Sequence, residues 1–289
     1  MTDIKDKTRT LAPMIPMELA LACAWATSCV EAEATGAHDR DEDLADAETP
    51  GETTEKERSG VLRSGATGAD LERELCGPND MQYVNAYAGD LGVTKDYVRE
   101  HKGPVGAMAT SDRPEEGYKF CSGTLVATNV FLTASVCVDA KTVGRFVTMN
   151  YELSQGKGTS LLEEQFYRIE AVLVEDVDRD FALLRLQGDP GATFGWTDIR
   201  ETEAVADETI VIIQHPMGGP KQFDAGRVSE VAPEQFSYDA DTRSGSAGAG
   251  VLDADGLLVG IHTTGGCVAG EGAGKNFRRL YLARLERLE

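Results

Sequence analysis

From residue 104 onward the chain is a succession of short apolar runs: Pro104–Met108, Gly123–Ala127, Val130–Ala134, Phe146–Met149, Tyr167–Leu173, Phe181–Leu186, Thr209–Ile213 and Gly256–His262. Each is too short for an ordinary helix, and Gly, Asn and Asp stand between them. That pattern predicts many short strands joined by tight turns, an all-β sandwich or barrel. One further stretch, Asp241 to Gly250, is small and Gly-rich and leads into Val251-Leu252. It predicts a tight loop, where backbone approaches something closely, followed by a buried strand. Only Asn276 to Leu288 has apolar residues at helical spacing (Phe277, Leu280, Tyr281, Leu285, Leu288), which predicts a C-terminal helix.

The first 75 residues break this pattern. Lys5, Lys7 and Arg9 precede a largely apolar stretch from Leu11 to Trp25, and small residues then lead to Cys29. We read residues 1–30 as a cleaved export signal, too short and interrupted to be a membrane span. The small residues before Cys29 also resemble a lipoprotein cleavage box, with a lipid anchor on Cys29 as the alternative to a plain secretory signal. Residues 31–57 carry eleven acidic side chains against Arg40 and Lys56. With few large apolar residues, the stretch 31–75 cannot bury enough surface to offset the entropy of ordering. It reads as a disordered acidic linker or a propeptide, and the folded domain is expected over residues 76–289.

The formal net charge of -21 argues against a nucleic-acid partner, because phosphate would be repelled. Neither a glycine-rich phosphate loop nor a metal-ligand cluster is visible, so no cofactor or metal is expected. Of six cysteines, Cys23 and Cys29 fall in the signal. Cys76, Cys121, Cys137 and Cys267 remain, an even set suited to two disulfides in an oxidising compartment, with three pairings open.

Three segments in order resemble the trypsin-like, chymotrypsin-fold serine peptidases. Cys121-Ser-Gly-Thr-Leu, followed by Leu132-Thr-Ala-Ser-Val136-Cys137, is similar to the strand pair that carries the family's catalytic histidine. Asp176–Leu184 resembles the segment of the triad aspartate and places Asp180 there. Gly245-Ser-Ala247-Gly-Ala-Gly250 is similar to the loop Gly-x-Ser-Gly-x-Pro that carries the nucleophile. His215-Pro-Met-Gly looks like the His-Pro-x-Gly turn of bacterial members, where that histidine is structural. Tyr238 to Thr242, and Gly260-Ile-His262, are similar to bacterial glutamyl endopeptidases, in which the threonine and histidine bind a substrate carboxylate. Thr263 and Thr264 separate His262 from Gly265-Gly266, a spacing that leaves the shape of such a pocket open.

The resemblance implies a double six-stranded β-barrel with a C-terminal helix. It also implies a Cys121–Cys137 disulfide, which leaves Cys76 and Cys267 as the second pair. An oxyanion hole would be formed by the backbone N–H groups of Gly245 and Ala247, and Thr242 and His262 would line the specificity pocket. The departures fall at the chemistry: valine stands at the histidine position, Val136, and alanine at the serine position, Ala247. Valine moves no proton and alanine has no oxygen with which to attack a carbonyl. Asp180 then reads as well as a strand-edge acid satisfied by backbone N–H groups. The expectation is an exported pseudopeptidase that binds a peptide or protein. The alternative is an active endopeptidase, cutting after acidic residues through a displaced serine such as Ser244 or Ser246 with His215 or His262. A purely structural surface module is the third reading.

Overall fold

In the computed structural model the described residues are 75–154, 160–266 and the backbone of 272–276. They belong to the second of two units, residues 54–289; the first unit, residues 1–53, lies outside them. So do the signal, the acidic segment, Cys267 and most of the expected C-terminal helix.

Six strands close the first barrel in the order β2-β3-β4-β7-β6-β5: β2 (Val105–Ala109), β3 (Lys119–Ala127), β4 (Val130–Thr133), β5 (Phe146–Met149), β6 (Gln165–Asp176) and β7 (Phe181–Leu186). All neighbours are antiparallel. Apolar side chains converge from every wall, and Met108, Leu125, Phe131, Leu132, Val147, Met149, Ile169 and Leu184 are buried together. Burial of each such side chain is worth roughly 1.5–3 kcal/mol.

The second sheet has seven strands: β1 (Gln82–Tyr83), β8 (Thr209–Gln214), β9 (Gln222–Val231), β10 (Gln235–Tyr238), β11 (Gly250–Leu252), β12 (Leu258–Thr264) and β13 (Gly272–Asn276). Their order is β1-β9-β10-β13-β12-β11-β8, and β8 also pairs with β9. That return pairing makes a ring of six strands, with β1 added outside on β9. Ile210, Ile212, Val228, Phe236, Tyr238, Val251 and Val259 fill it. The all-β double barrel is therefore present, with one strand more than the sequence pattern implied. Asn276 ends strand β13, whereas helical spacing had placed it at the start of a helix; residues 277–289 lie outside the described set.

One helix precedes the barrels, α1 (Lys95–His101). Thr94 caps it by accepting the Tyr97 amide at 3.0 Å. Its buried face is Val98, and the Tyr97 hydroxyl reaches the Asp253 carbonyl at 2.5 Å.

The two barrels meet through a buried ionic cluster. Lys221, at the entry to β9, is fully buried; its Nζ donates to Glu152 Oε1 at 2.9 Å and to the Lys102 carbonyl at 2.7 Å. Lys102 pairs with the other carboxylate oxygen of Glu152, which also accepts from Asn85 at 2.9 Å. Burial pushes the Glu152 carboxyl up, but the two lysines outweigh it and hold its pKa at about 2. The Lys221 ammonium is pushed down by burial, and Glu152 opposes that shift.

Candidate functional site

Three loops converge where the barrels face one another. The first is a single 3-10 turn, Ser135–Cys137, directly after β4. The Cys121–Cys137 disulfide ties it back to β3. Val136 projects outward and is 44% exposed, an unusual setting for a valine so near a barrel core. The second loop enters β7 at Asp180, which sits in the left-handed region at φ 52°. One oxygen of Asp180 accepts the Ser135 hydroxyl at 2.7 Å and the Val136 amide at 3.1 Å. Asp180 and Val136 are thus in contact, and the carboxylate caps the turn that carries Val136.

The third loop, Asp241–Gly250, carries Ala247. Ser122 of β3 holds it: the Ser122 amide donates to the Ala247 carbonyl at 2.9 Å, and the Ser122 hydroxyl donates to the Gly245 carbonyl at 2.8 Å. The same hydroxyl accepts the His215 amide at 2.9 Å. Gly248 has φ 89°, and a Cβ there would lie 2.3 Å from Thr133 Oγ1 and 2.8 Å from the Ala134 nitrogen. Only glycine lets this loop press against the end of β4, which feeds the Val136 turn. The Cys137 sulfur lies 3.6 Å from the Ala247 carbonyl oxygen. Val136, Asp180 and Ala247 therefore line one junction.

Gly245, at φ 93°, and Ala247 are partly exposed, and neither amide donates a hydrogen bond among the described residues. Two such free N–H groups on one tight loop can receive a carbonyl oxygen. The third member of the usual constellation, a nucleophile beside a base, is a different matter. Ser246 is fully buried, and its oxygen accepts the Arg243 amide at 3.1 Å. No imidazole among the described residues bonds a serine hydroxyl. His215 is buried, with Nδ1 3.0 Å from the Gly219 carbonyl. Burial and the nearby Lys221 charge bring its pKa down to about 3.

Thr242 and His262 are both buried in the second barrel, 1% and 2% exposed. His262 Nδ1 is 2.5 Å from the Tyr238 hydroxyl, and burial lowers its pKa to about 4, so the ring is neutral near pH 7. Its backbone brackets the loop, taking the Gly248 amide at 2.7 Å and donating to the Ala249 carbonyl at 2.8 Å. The Thr242 hydroxyl is buried without a partner among the described residues.

At the other end of the loop, Asp241 fastens the segment that enters the domain. Its carboxylate accepts the Cys76 amide at 2.6 Å and the Asp80 amide at 2.9 Å. The Asp241 amide in turn donates to Asp224 at 2.6 Å. Asp224 is buried, which raises its pKa to about 6 despite the backbone donors. Cys76 is disulfide-bonded; its pairing with Cys267 lies outside the described residues.

Sequence reasoning missed Ser122 and Arg243. Ser122 is an ordinary strand residue by type, and nothing in its neighbours signals that its hydroxyl clamps a loop 123 residues away. Arg243 lines a pocket of about 340 Å³ with Met81, Tyr83, Pro216, Met217 and Pro220. Among the described residues no group of three or more His, Cys, Asp or Glu side chains could hold a metal, and no helix is long and apolar enough to cross a membrane.

Comparison with known proteins agrees with this architecture. The chain is 26% identical over 227 residues to the secreted RxLR effector protein 73 of Plasmopara viticola, covering 71% of this chain and 54% of that protein. It thus spans about half the length of that relative. Among solved structures, a Glu endopeptidase in complex with MPD superposes with a TM-score of 0.55 at 19% identity, over 73% of this chain and 97% of the other. A serine endoprotease from Yersinia pestis gives 0.51 at 17% identity, over 66% and 65%. These two likenesses concern the fold. Residues 121–261, from the disulfide of the Val136 turn to β12, match the family model of the trypsin-like peptidase domain. With the double barrel, this gives the chain a trypsin-like peptidase domain of chymotrypsin-like fold over residues 121–261.

Proposed function

We propose that this chain is an exported pseudopeptidase, a peptidase homologue that binds peptide or protein without cleaving it. The observation that carries the reading is the pairing at one junction of Val136, against the Asp180 carboxylate, with Ala247, beside the two free loop amides. In triad chemistry the serine attacks the carbonyl while the histidine moves the proton. Loss of the nucleophile alone costs about 10⁶ in turnover, and the further loss of the base adds little, because the residues act as a unit. What remains are groups that bind: the amides of Gly245 and Ala247 on a partly exposed loop. Export is supported by the similar protein whose name calls it secreted, and by a buried disulfide that suits an oxidising compartment.

The test uses the full chain with a serine-directed fluorophosphonate and a peptide library, beside a Val136→His, Ala247→Ser double variant. The natural chain is expected to stay unlabelled and to leave peptides intact, while the double variant takes the label. Labelling of the natural chain that disappears in Ser244→Ala or Ser246→Ala would establish the displaced-serine alternative instead.

A further inference from the structure

The pocket beside the Ala247 loop has a chemistry at odds with the rest of the chain. The protein carries 49 acidic residues against 28 basic ones. Yet among the described residues no acidic side chain lines this pocket, and its only charged lining residue is Arg243. The remaining wall is largely apolar: Met81 and Tyr83 at the first strand of the second sheet, and Pro216, Met217 and Pro220 on the turn after β8. Met217 is 59% exposed, a large thioether side chain held toward solvent. Flexible, polarizable methionines suit surfaces that accept an apolar side chain of variable shape.

The Arg243 guanidinium has no ion pair or hydrogen bond among the described residues. Its charge acts on Asp241, whose carboxyl it favours in the ionised form. The two oxygens of that carboxylate are already engaged, one by the Cys76 amide and one by the Asp80 amide. Arg243 is therefore a half-buried cation whose neighbours leave its fork of donors unfilled, and a planar guanidinium is matched by a carboxylate.

The turn that walls the pocket also packs on the loop of the free amides. A Cβ on Gly245 would lie 2.8 Å from the Gly218 nitrogen and 3.1 Å from the Met217 nitrogen, and the Met217 amide donates to the Ser244 carbonyl at 2.5 Å. The wall of the pocket is thus packed directly on the loop that carries the amides.

We propose that this pocket recognises an acidic peptide segment of a partner protein. The partner's Asp or Glu side chain pairs with Arg243, its adjacent apolar side chain lies against Met81, Tyr83 and Met217, and a backbone carbonyl meets the amides of Gly245 and Ala247. The charge contrast between this pocket and the rest of the chain selects the occupant. The inference rests on the pseudopeptidase reading and names the ligand chemistry for it.

The test measures binding of the full chain to short labelled peptides blocked at both ends, so that side chains alone carry charge. One frame holds a leucine next to Glu, Gln or Lys. The Glu peptide is expected to bind about tenfold more tightly than the Gln peptide, and the Lys peptide more weakly still. Arg243→Glu should reverse the order. The variant should fold, because the loop bonds of Arg243 are made by its backbone. Met217→Asp should weaken the Glu peptide at least as much as the Gln peptide. Equal binding of the three peptides, or none, would overturn the proposal. If no peptide binds and Arg243→Glu instead makes residues 31–57 more sensitive to limited proteolysis, the pocket holds the chain's own acidic segment and the proposal also fails. Binding without charge preference leaves the pseudopeptidase reading intact, whereas cleavage of the peptides overturns that reading.

Discussion

Asp180 holds the Ser135 hydroxyl at 2.7 Å through the same oxygen, Oδ1, that accepts the Val136 amide at 3.1 Å. The carboxylate is thereby the cap of a short turn. That cap fixes the outward course of Val136 and keeps the junction ordered without a histidine to hold.

The first prediction follows from this cap. Asp180→Ala should lower stability by about 1–3 kcal/mol, the range for losing bonds to a charged acceptor. Asp180→Asn should cost less, because Asn keeps an acceptor oxygen and tolerates the left-handed backbone at this position. Urea unfolding of both variants decides the matter; equal losses would mean that the cap is not what stabilises the turn.

The buried cluster between the barrels predicts an asymmetry. Glu152→Gln leaves Lys221 fully buried with no carboxylate, and a loss of roughly 3–5 kcal/mol is expected. Lys221→Met should be milder, about 1–3 kcal/mol, because Glu152 keeps Lys102 and the new side chain suits an apolar site. Comparing the two unfolding midpoints tests the ordering, which would be reversed if Lys221 were the anchor of the cluster.

Stability should depend on pH in two regimes. His215 and His262 have folded pKa values of about 3 and 4, below the ordinary 6.5. Their contribution is present above 6.5 and is lost as pH falls through these values. Asp224 works in the opposite sense: with a folded pKa of about 6 against 3.8, its contribution is present below 3.8 and lost as pH rises through 6. Between pH 6 and 4 Asp224 offsets one of the two histidines, so stability should fall with the slope of about one proton. Below 4 the His262 contribution is already lost, and His215 acts unopposed down to about 3, joined by Glu152, whose contribution disappears between 4.5 and about 2. A steep fall is expected there. Asp224→Asn should steepen the profile between 6.5 and 4, and an unchanged slope in urea titrations would count against this account.

Gly248 is the contact point of the Ala247 loop with the end of β4. Gly248→Ala should cost about 2–4 kcal/mol, from positive-φ strain and overpacking against Thr133 and Ser122. Added to the Val136→His, Ala247→Ser pair, it should also abolish fluorophosphonate labelling, since it moves the two loops apart. Retained labelling would show that the junction does not depend on this contact.

Most of the first barrel was legible because its strands announce themselves as apolar runs. Phe181–Leu186 is buried at five of six positions, and Val130–Thr133 at all four. Strand β9, Gln222–Val231, was not legible. It carries Asp224, Arg227 and Glu230, and its extended form is held by ladders to β8, β10 and β1. Strand β13, Gly-Ala-Gly-Lys-Asn, has no apolar signature at all and exists through its pairing with β10 and β12. Backbone ladders are indifferent to side-chain type, which is why these strands escaped a reading of polarity.

What the sequence determined by itself was the order of three short segments, the cysteine pair around one of them, and the absence of a proton carrier at position 136 and of a nucleophile at 247. These are matters of residue identity, and folding cannot supply a missing oxygen or imidazole. The tertiary structure alone decided how the remaining groups are used. It gave Asp180 to Ser135 and the Val136 amide, sealed Thr242 and His262 inside the second barrel, and fastened the Ala247 loop through Ser122. It also set Arg243, unpaired among the described residues, in a pocket with no acid among its described lining, within a chain that is strongly acidic. The Asp180 cap and the Ser122 clamp depend on groups 44 to 123 residues apart along the chain coming within hydrogen-bonding reach, a relationship that no local pattern encodes.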